Sequence, residues 1–267
     1  MGSSSDAQFG GSIPGIYDQH LGPLLFSPYA AEVARRVCAW HPERILEVAA
    51  GTGLLTVELA YDCPEAELVA TDLNPDMLHV AKRRTSNLRE RVQVSQADAQ
   101  ALPFDDDMFD LVVCQFGIMF FPDKVKANAE ARRVLRPGGR YVLVVWDRLD
   151  HNPAAQQVHS AVAGLFPDDP PQFLARTPFG YADPAGIERD LVAAGFTDIE
   201  IETMALESLA SAGPEDGSLG MVEGSPLRAE IEARDPAMLE RAEQAAREAL
   251  SRDFPRALSA HVVTAIR

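Results

Sequence analysis

At 267 residues with 46% hydrophobic side chains, the chain is long enough for one α/β domain with insertions and an ordinary buried core. Forty acids against 24 Lys and Arg give a formal net charge of -16, which argues against a nucleic-acid partner, because gripping a phosphate backbone needs clustered cations. Cys38, Cys63 and Cys114 are odd in number and widely spaced, with no C-x-x-C. They predict reduced thiols in a cytoplasmic protein, with neither a disulfide framework nor a zinc site. No apolar run approaches the ~18 residues of a membrane span, and MGSSSDAQFGG has no signal-peptide core. No metal, membrane or nucleic-acid partner is expected.

The first 15 residues are rich in Gly and Ser, and their outer end is expected to be mobile. Pro28 to Trp40 reads as an amphipathic helix, so residues 1–40 form a helical N-terminal cover ahead of a main domain over 41–267. Strands are then predicted at 44–48, 67–71, 92–95, 109–114 and 140–146, with helices at 53–62, 75–86 and 124–135. Strand and helix alternating at this period mean a parallel sheet with right-handed crossovers. Leu111 to Cys114 and Tyr141 to Val145 are continuous apolar runs, as in strands covered on both faces. After Trp146 the regularity breaks into a cover insertion at about 147–181, with a helical piece from Ala154 to Phe166. Asp183 to Gly195 is a capped helix, and Ile199 to Met204 pairs with His261 to Ile266 at the C-terminus. A second cover insertion spans about 205–232, its 211–225 part rich in Gly and Ser, before a helix near Pro236 to Arg252.

The stretch ILEVAAGTGLLTVELA, Ile45 to Ala60, joins a strand ending in an acid to a glycine turn and a helix. Open α/β sheets build nucleoside sites in this way, at the carboxyl end of their first strand. Glu47 ends that strand and can take a direct or water-mediated bond from an ammonium group. Gly51 and Gly53 let the backbone approach a cofactor. Asp72 ends the second strand, where an acid can accept both ribose hydroxyls, and Asp98 with the Ala99 N–H follows the third and can read an adenine amino edge. A dinucleotide turn would carry a third glycine after Gly51-Thr52-Gly53, yet Leu54-Leu55-Thr56 follows. The set therefore points to S-adenosylmethionine, which carries no phosphate to cradle.

With these motifs the chain resembles the class I S-adenosylmethionine-dependent methyltransferases, in particular the small-molecule branch similar to ubiquinone and menaquinone biosynthesis methyltransferases. EVAAGTG, VATDLNPDML, DAQALPFDDDMFD, CQFGIMFFPD and RVLRPGGRYVLVVW carry the likeness from Ile45 to Trp146, and LVAAGF extends it. The resemblance implies a Rossmann-like, doubly wound, seven-stranded and mostly parallel sheet with an antiparallel last strand. It also implies cofactor contacts at Gly51, Gly53, Asp72, Met77, Asp98, Ala99 and Gln115. Leu73, Phe116, Tyr17 and position 49 complete the expected donor site. Ala49 stands where the family pattern has its first turn glycine, and its methyl is tolerated there if φ is negative.

The cofactor would carry the electrophilic methyl and leave as S-adenosylhomocysteine, so the protein needs to hold a nucleophile in line and exclude water. No strong catalytic motif is expected. His20, His151 and His159 lie in covering segments, and His20 and His159 are carried forward as candidate bases. Trp146 and Asp147, at the end of the fifth strand, and Phe179 are candidate substrate contacts. The expected activity is methyl transfer by in-line displacement to O, N or C of a small aromatic or otherwise apolar metabolite, in secondary metabolism. A non-catalytic S-adenosylmethionine-binding protein and a protein or RNA methyltransferase remain as alternatives. The oligomeric state is not legible.

Overall fold

The predicted strands pair into one seven-stranded sheet in a computed structural model that describes residues 9–11 and 13–267. Residues 1–8, the outer end expected to be mobile, lie outside the described residues. The strands are β1 (Arg44–Val48), β2 (Glu67–Asp72), β3 (Val92–Gln96), β4 (Phe109–Gln115), β5 (Leu135–Trp146), β6 (Thr197–Glu207) and β7 (Ala257–Ile266). Their spatial order is β3-β2-β1-β4-β5-β7-β6, and β7 runs antiparallel to both neighbours. β1 pairs with β2 on one side and β4 on the other. The chain order therefore reverses there, and a crevice opens outside the carboxyl ends of those strands.

Among the described residues eleven α-helices accompany the sheet: α1 (Ile13–Ile16), α2 (Ser27–Cys38), α3 (Leu54–Asp62), α4 (Pro75–Arg84), α5 (Lys124–Val134), α6 (Pro153–Ala163), α7 (Phe173–Arg176), α8 (Pro184–Ala193), α9 (Pro214–Val222), α10 (Leu227–Arg234) and α11 (Leu239–Ser251). Between α1 and α2 the chain stays helical as a π-helix over Tyr17–Phe26, with Pro23 inside it. α2 buries Tyr29, Ala30, Val33, Ala34 and Val37, a stripe at helical spacing, and the Tyr29 hydroxyl donates to the Met204 carbonyl at 2.9 Å. The Asn74, Asp123 and Asp183 side chains accept backbone N–H bonds at the starts of α4, α5 and α8.

Two expectations need correction. The Gly- and Ser-rich 211–225 stretch is not irregular but contains α9, and its small residues serve close packing. A side chain at Gly217 would collide with Leu250 of α11, and one at Gly220 with Leu21 of the π-helix. Nor are all thiols reduced: Cys38 and Cys63 form a disulfide with a Cα–Cα distance of 5.3 Å. They close the C-terminal ends of α2 and α3, which pack side by side, a proximity that sequence spacing does not reveal. Cys114 is free and buried. Among the described residues no helix is long and apolar enough to cross a membrane.

Candidate active site

A cavity of about 1450 Å³ opens at the carboxyl ends of β1, β2 and β4. Its floor is the turn after β1, where Ala49, Gly51 and Gly53 all have positive φ (56°, 55° and 80°). Ala49 is therefore left-handed, against the negative φ its methyl was expected to need. The room for its methyl in that conformation lies across the cavity floor. A Cβ on Gly117, in the loop after β4, would sit 2.5 Å from the Ala49 Cβ and 2.9 Å from Cys114 Sγ. The glycine absent at position 49 is thus matched by one at position 117. Burial pushes the Cys114 thiol up to about 12, so it stays protonated behind this contact.

Three strand-end carboxylates line one side of the cavity. Glu47 is 2% exposed, and its Oε2 accepts from Thr56 Oγ1 at 2.5 Å. Burial, reinforced by the Asp72 charge, pushes its carboxyl up to about 8 against that hydrogen bond. Asp72 takes Gly51 N–H on Oδ2 and Asn74 N–H on Oδ1, both at 2.8 Å. These two bonds aim its carboxylate while leaving a lone pair on each oxygen. Burial raises its pKa, and the backbone bonds oppose the rise. Asp98 accepts Gln100 N–H on Oδ1 at 2.8 Å, which leaves Oδ2 unengaged. The Gln115 side-chain oxygen is buried with no hydrogen-bond partner, an acceptor aimed at nothing in the protein. Tyr17 completes this side, its phenol pushed up by burial and by Asp72 and Asp18.

Every residue expected to touch the donor lines the cavity except Gly53. Gly53 caps α3 instead, and a Cβ there would meet Ala81 at 3.1 Å, so close helix packing explains it. Leu73, although apolar, is 60% exposed at the rim.

The other half of the site is aromatic. Phe9, Tyr17, Phe26, Phe116 and Phe120 border both the main cavity and a small apolar annex of about 50 Å³. Trp146 and Phe179 line that annex, not the main cavity. Phe116, at φ +54°, stacks on Trp146 with centroids 3.9 Å apart and planes 11° from parallel. Such a left-handed aromatic at a cavity wall is strain of the kind held at functional sites.

The histidines and Asp147 lie elsewhere. His20 turns to α9, where its Nδ1 is 2.9 Å from Asp216 Oδ1. His159 sits on α6 outside both cavities, its pKa lowered by burial. Asp147 is 5% exposed and bonds His151 Nδ1 and Ser259 Oγ, each at 2.7 Å, with His261 Nε2 at 3.3 Å. It braces the β5–β7 corner and faces neither cavity, since the alternation along β5 points Trp146 and Asp147 to opposite sides. Among the described residues no histidine or cysteine lines the main cavity.

Sequence reading missed Asn74, Phe9 and Lys124. Asn74 Nδ2 donates to the Phe9 carbonyl at 2.9 Å, and Gly11 N–H reaches Asp76 Oδ2 at 3.4 Å. Together they tie the strap ahead of α1 across the cavity. Asn74-Pro75 is readable as a helix start, but its partner 65 residues away is not. Lys124 follows the cap residue Asp123 and looks like ordinary first-turn surface.

A family description of a methyltransferase domain matches residues 45–139. The chain is 38% identical over 133 residues to the demethylmenaquinone methyltransferase of Deinococcus radiodurans, covering 50% of this chain and 53% of that one. It is 37% identical over 109 residues to the ubiquinone/menaquinone biosynthesis C-methyltransferase of Pectobacterium carotovorum, covering 40% and 43%. The chain thus spans about half the length of the curated relatives it matches. Among solved structures, the YcgJ protein of Bacillus subtilis superposes with a TM-score of 0.58 at 20% identity, covering 90% of this chain and 98% of that one. Phosphoethanolamine N-methyltransferase 2 of Haemonchus contortus, solved with phosphomonomethylethanolamine and S-adenosylhomocysteine, gives 0.59 at 18% identity over 95% and 57%. At these identities the superpositions establish the fold. In sequence over residues 45–139, and in fold over most of its length, the chain resembles the class I S-adenosylmethionine-dependent methyltransferases.

Proposed function

We propose that the chain binds S-adenosylmethionine and methylates a small molecule with an aromatic or otherwise apolar body. The observation that carries this reading is the convergence of Glu47, Asp72 and Asp98, from three successive strand ends, on one cavity. The residues fit the cofactor: Asp72 retains acceptor capacity for two ribose hydroxyls, Asp98 Oδ2 can accept from the adenine amino group while the Ala99 N–H donates to the ring, and Leu73 offers an apolar surface for a purine face. Glu47 and the orphaned Gln115 oxygen would receive the ammonium end. The sulfonium supplies an already electrophilic methyl when bound. The chain's part is to hold the acceptor in line and exclude water, which the strap and aromatic wall do. Names of the curated relatives, which include demethylmenaquinone methyltransferases, and the aromatic annex support a conjugated, quinol-like acceptor. The described part of residues 1–40, together with 147–181 and 205–232, serves as the cover.

Calorimetric titration with S-adenosylmethionine tests the reading. Micromolar binding is expected, weakened at least tenfold by Asp72→Ala and by Asp98→Ala, with none for NAD. Unchanged affinity in both variants refutes the assignment of the nucleoside end. Binding without methyl transfer to any quinol or phenol offered would move the chain to a sensing role.

A further inference from the structure

The cavity is polarised in charge. Glu47, Asp72, Asp76 and Asp98 line it at the carboxyl ends of the strands, and the start of α5 adds an ammonium, Lys124, to its wall. Two other cations border that wall, but each is already paired: Arg176 with Glu230 at 2.6 Å and Arg228 with Glu232 at 2.8 Å. Among the described residues no carboxylate lies within 4 Å of the Lys124 ammonium. Its Nζ donates to the Phe121 carbonyl at 3.0 Å and stands 5.2 Å from the Tyr181 ring centroid. The nearest acid acting on it, Asp190, is engaged by the Tyr181 hydroxyl at 2.7 Å. A half-buried ammonium with one carbonyl and a ring face has two N–H donors to spare and an uncompensated charge. Desolvation lowers its pKa accordingly.

A lysine offers a compact point charge with rotatable donors, which suits a single ionised oxygen. Phe116 and Phe120 line the same cavity, and the Tyr181 ring stands beside the ammonium itself. We propose that Lys124 binds an anionic oxygen of the acceptor, so that the substrate class is an aromatic or conjugated anion: a ring oxygen of a phenolate or enolate, or a carboxylate on the ring. This rests on the methyl-acceptor reading of the cavity and narrows it. An acceptor held as its anion has already lost its proton to solvent, which accords with a cavity wall that lacks histidine among the described residues.

Two matched pairs of probes test this by calorimetry on the full chain saturated with S-adenosylhomocysteine. One pair is 2-hydroxy-1,4-naphthoquinone, ionised at neutral pH, against its 2-methoxy ether. The other is 2-naphthoate against 2-naphthamide. At least one anion is expected to bind about tenfold tighter than its neutral counterpart, and the preferred pair tells a ring oxygen from a carboxylate. Lys124→Met should abolish the preference while leaving the neutral probe and S-adenosylhomocysteine unchanged, and Lys124→Arg should restore part of it. Equal binding within both pairs, no anion binding at millimolar concentration, or a preference that survives in Lys124→Met overturns the proposal. S-adenosylhomocysteine binding is read separately, and the probe pairs are repeated without it. Loss of nucleoside binding then refutes the donor assignment, while the anion preference alone decides the role of Lys124.

Discussion

The contact between Ala49 and Gly117 makes a sharp stability prediction. In Gly117→Ala the new Cβ would lie 2.5 Å from the Ala49 Cβ and 2.9 Å from Cys114 Sγ. Carbon atoms settle at about 3.5 to 4.0 Å, so the methyl pair is short by at least about 1 Å and the sulfur contact by less. The backbone φ at Gly117 is -106°, so the substitution adds crowding without left-handed strain. Overpacking of this kind costs about 1 to 3 kcal/mol, and with two crowded neighbours we expect about 2.5 kcal/mol. Ala49→Gly removes the worse contact. Alone it should be nearly neutral, because relief of about 1 kcal/mol of left-handed strain is offset by the greater unfolded-state entropy of glycine. In that background Gly117→Ala should cost only about 1 kcal/mol, a coupling of about 1.5 kcal/mol. Thermal and urea unfolding of the four proteins measures it, with Tm shifts of about 2 to 4 °C per kcal/mol at this size. A coupling below about 0.5 kcal/mol, the range of independent sites, would refute the idea that Gly117 accommodates the alanine.

Glu47 has a folded-state pKa of about 8, above its unfolded value of about 4.3. The folded state therefore holds the extra proton, and stability should fall as pH rises between those values and level off above about 8. Glu47→Gln should flatten that slope in Tm measured from pH 5 to 8, and an unchanged slope would count against the burial argument. The Cys38–Cys63 link closes a loop with a sequence separation of 25, so Cys38→Ser should cost about 3 kcal/mol by the chain-entropy argument. A Tm loss under about 2 °C would show that the bridge does not form. Asn74→Ala removes an N-cap and the tie to Phe9; a loss of about 1 kcal/mol is expected, together with faster proteolysis near Phe9, and unchanged proteolysis would show that the tie is idle.

Local chemistry was legible. The apolar runs of β4 and β5, the cap-plus-proline start of α8, and the acid at each of three strand ends all act within a few residues and read directly. Features made by distant partners did not read. Gly217 and Gly220 look like a loop until Leu250 and Leu21 are seen against them. Cys38 and Cys63 look unrelated until α2 and α3 pack together. His20 looked like a base on the cover, and only the fold shows that it faces Asp216. The substitution at position 49 was visible, but its compensation lies 68 residues away at Gly117. Lys124 was missed because an exposed lysine and one turned into a cavity are identical in sequence.

The segment over the cavity is fastened very unequally at its two ends. At Cys38 it is bonded covalently to α3, whereas at Phe9 and Gly11, among the described residues, two hydrogen bonds to Asn74 and Asp76 and the edge-on packing of the Phe9 ring against Tyr17 and Phe120 hold it. At about 1 kcal/mol net for each such bond, parting those two hydrogen bonds shifts the equilibrium by only about ten- to thirtyfold, while the Cys38 end holds. The Phe9 end is therefore where the cover should lift first, and a molecule entering or leaving the cavity should pass beneath Phe9.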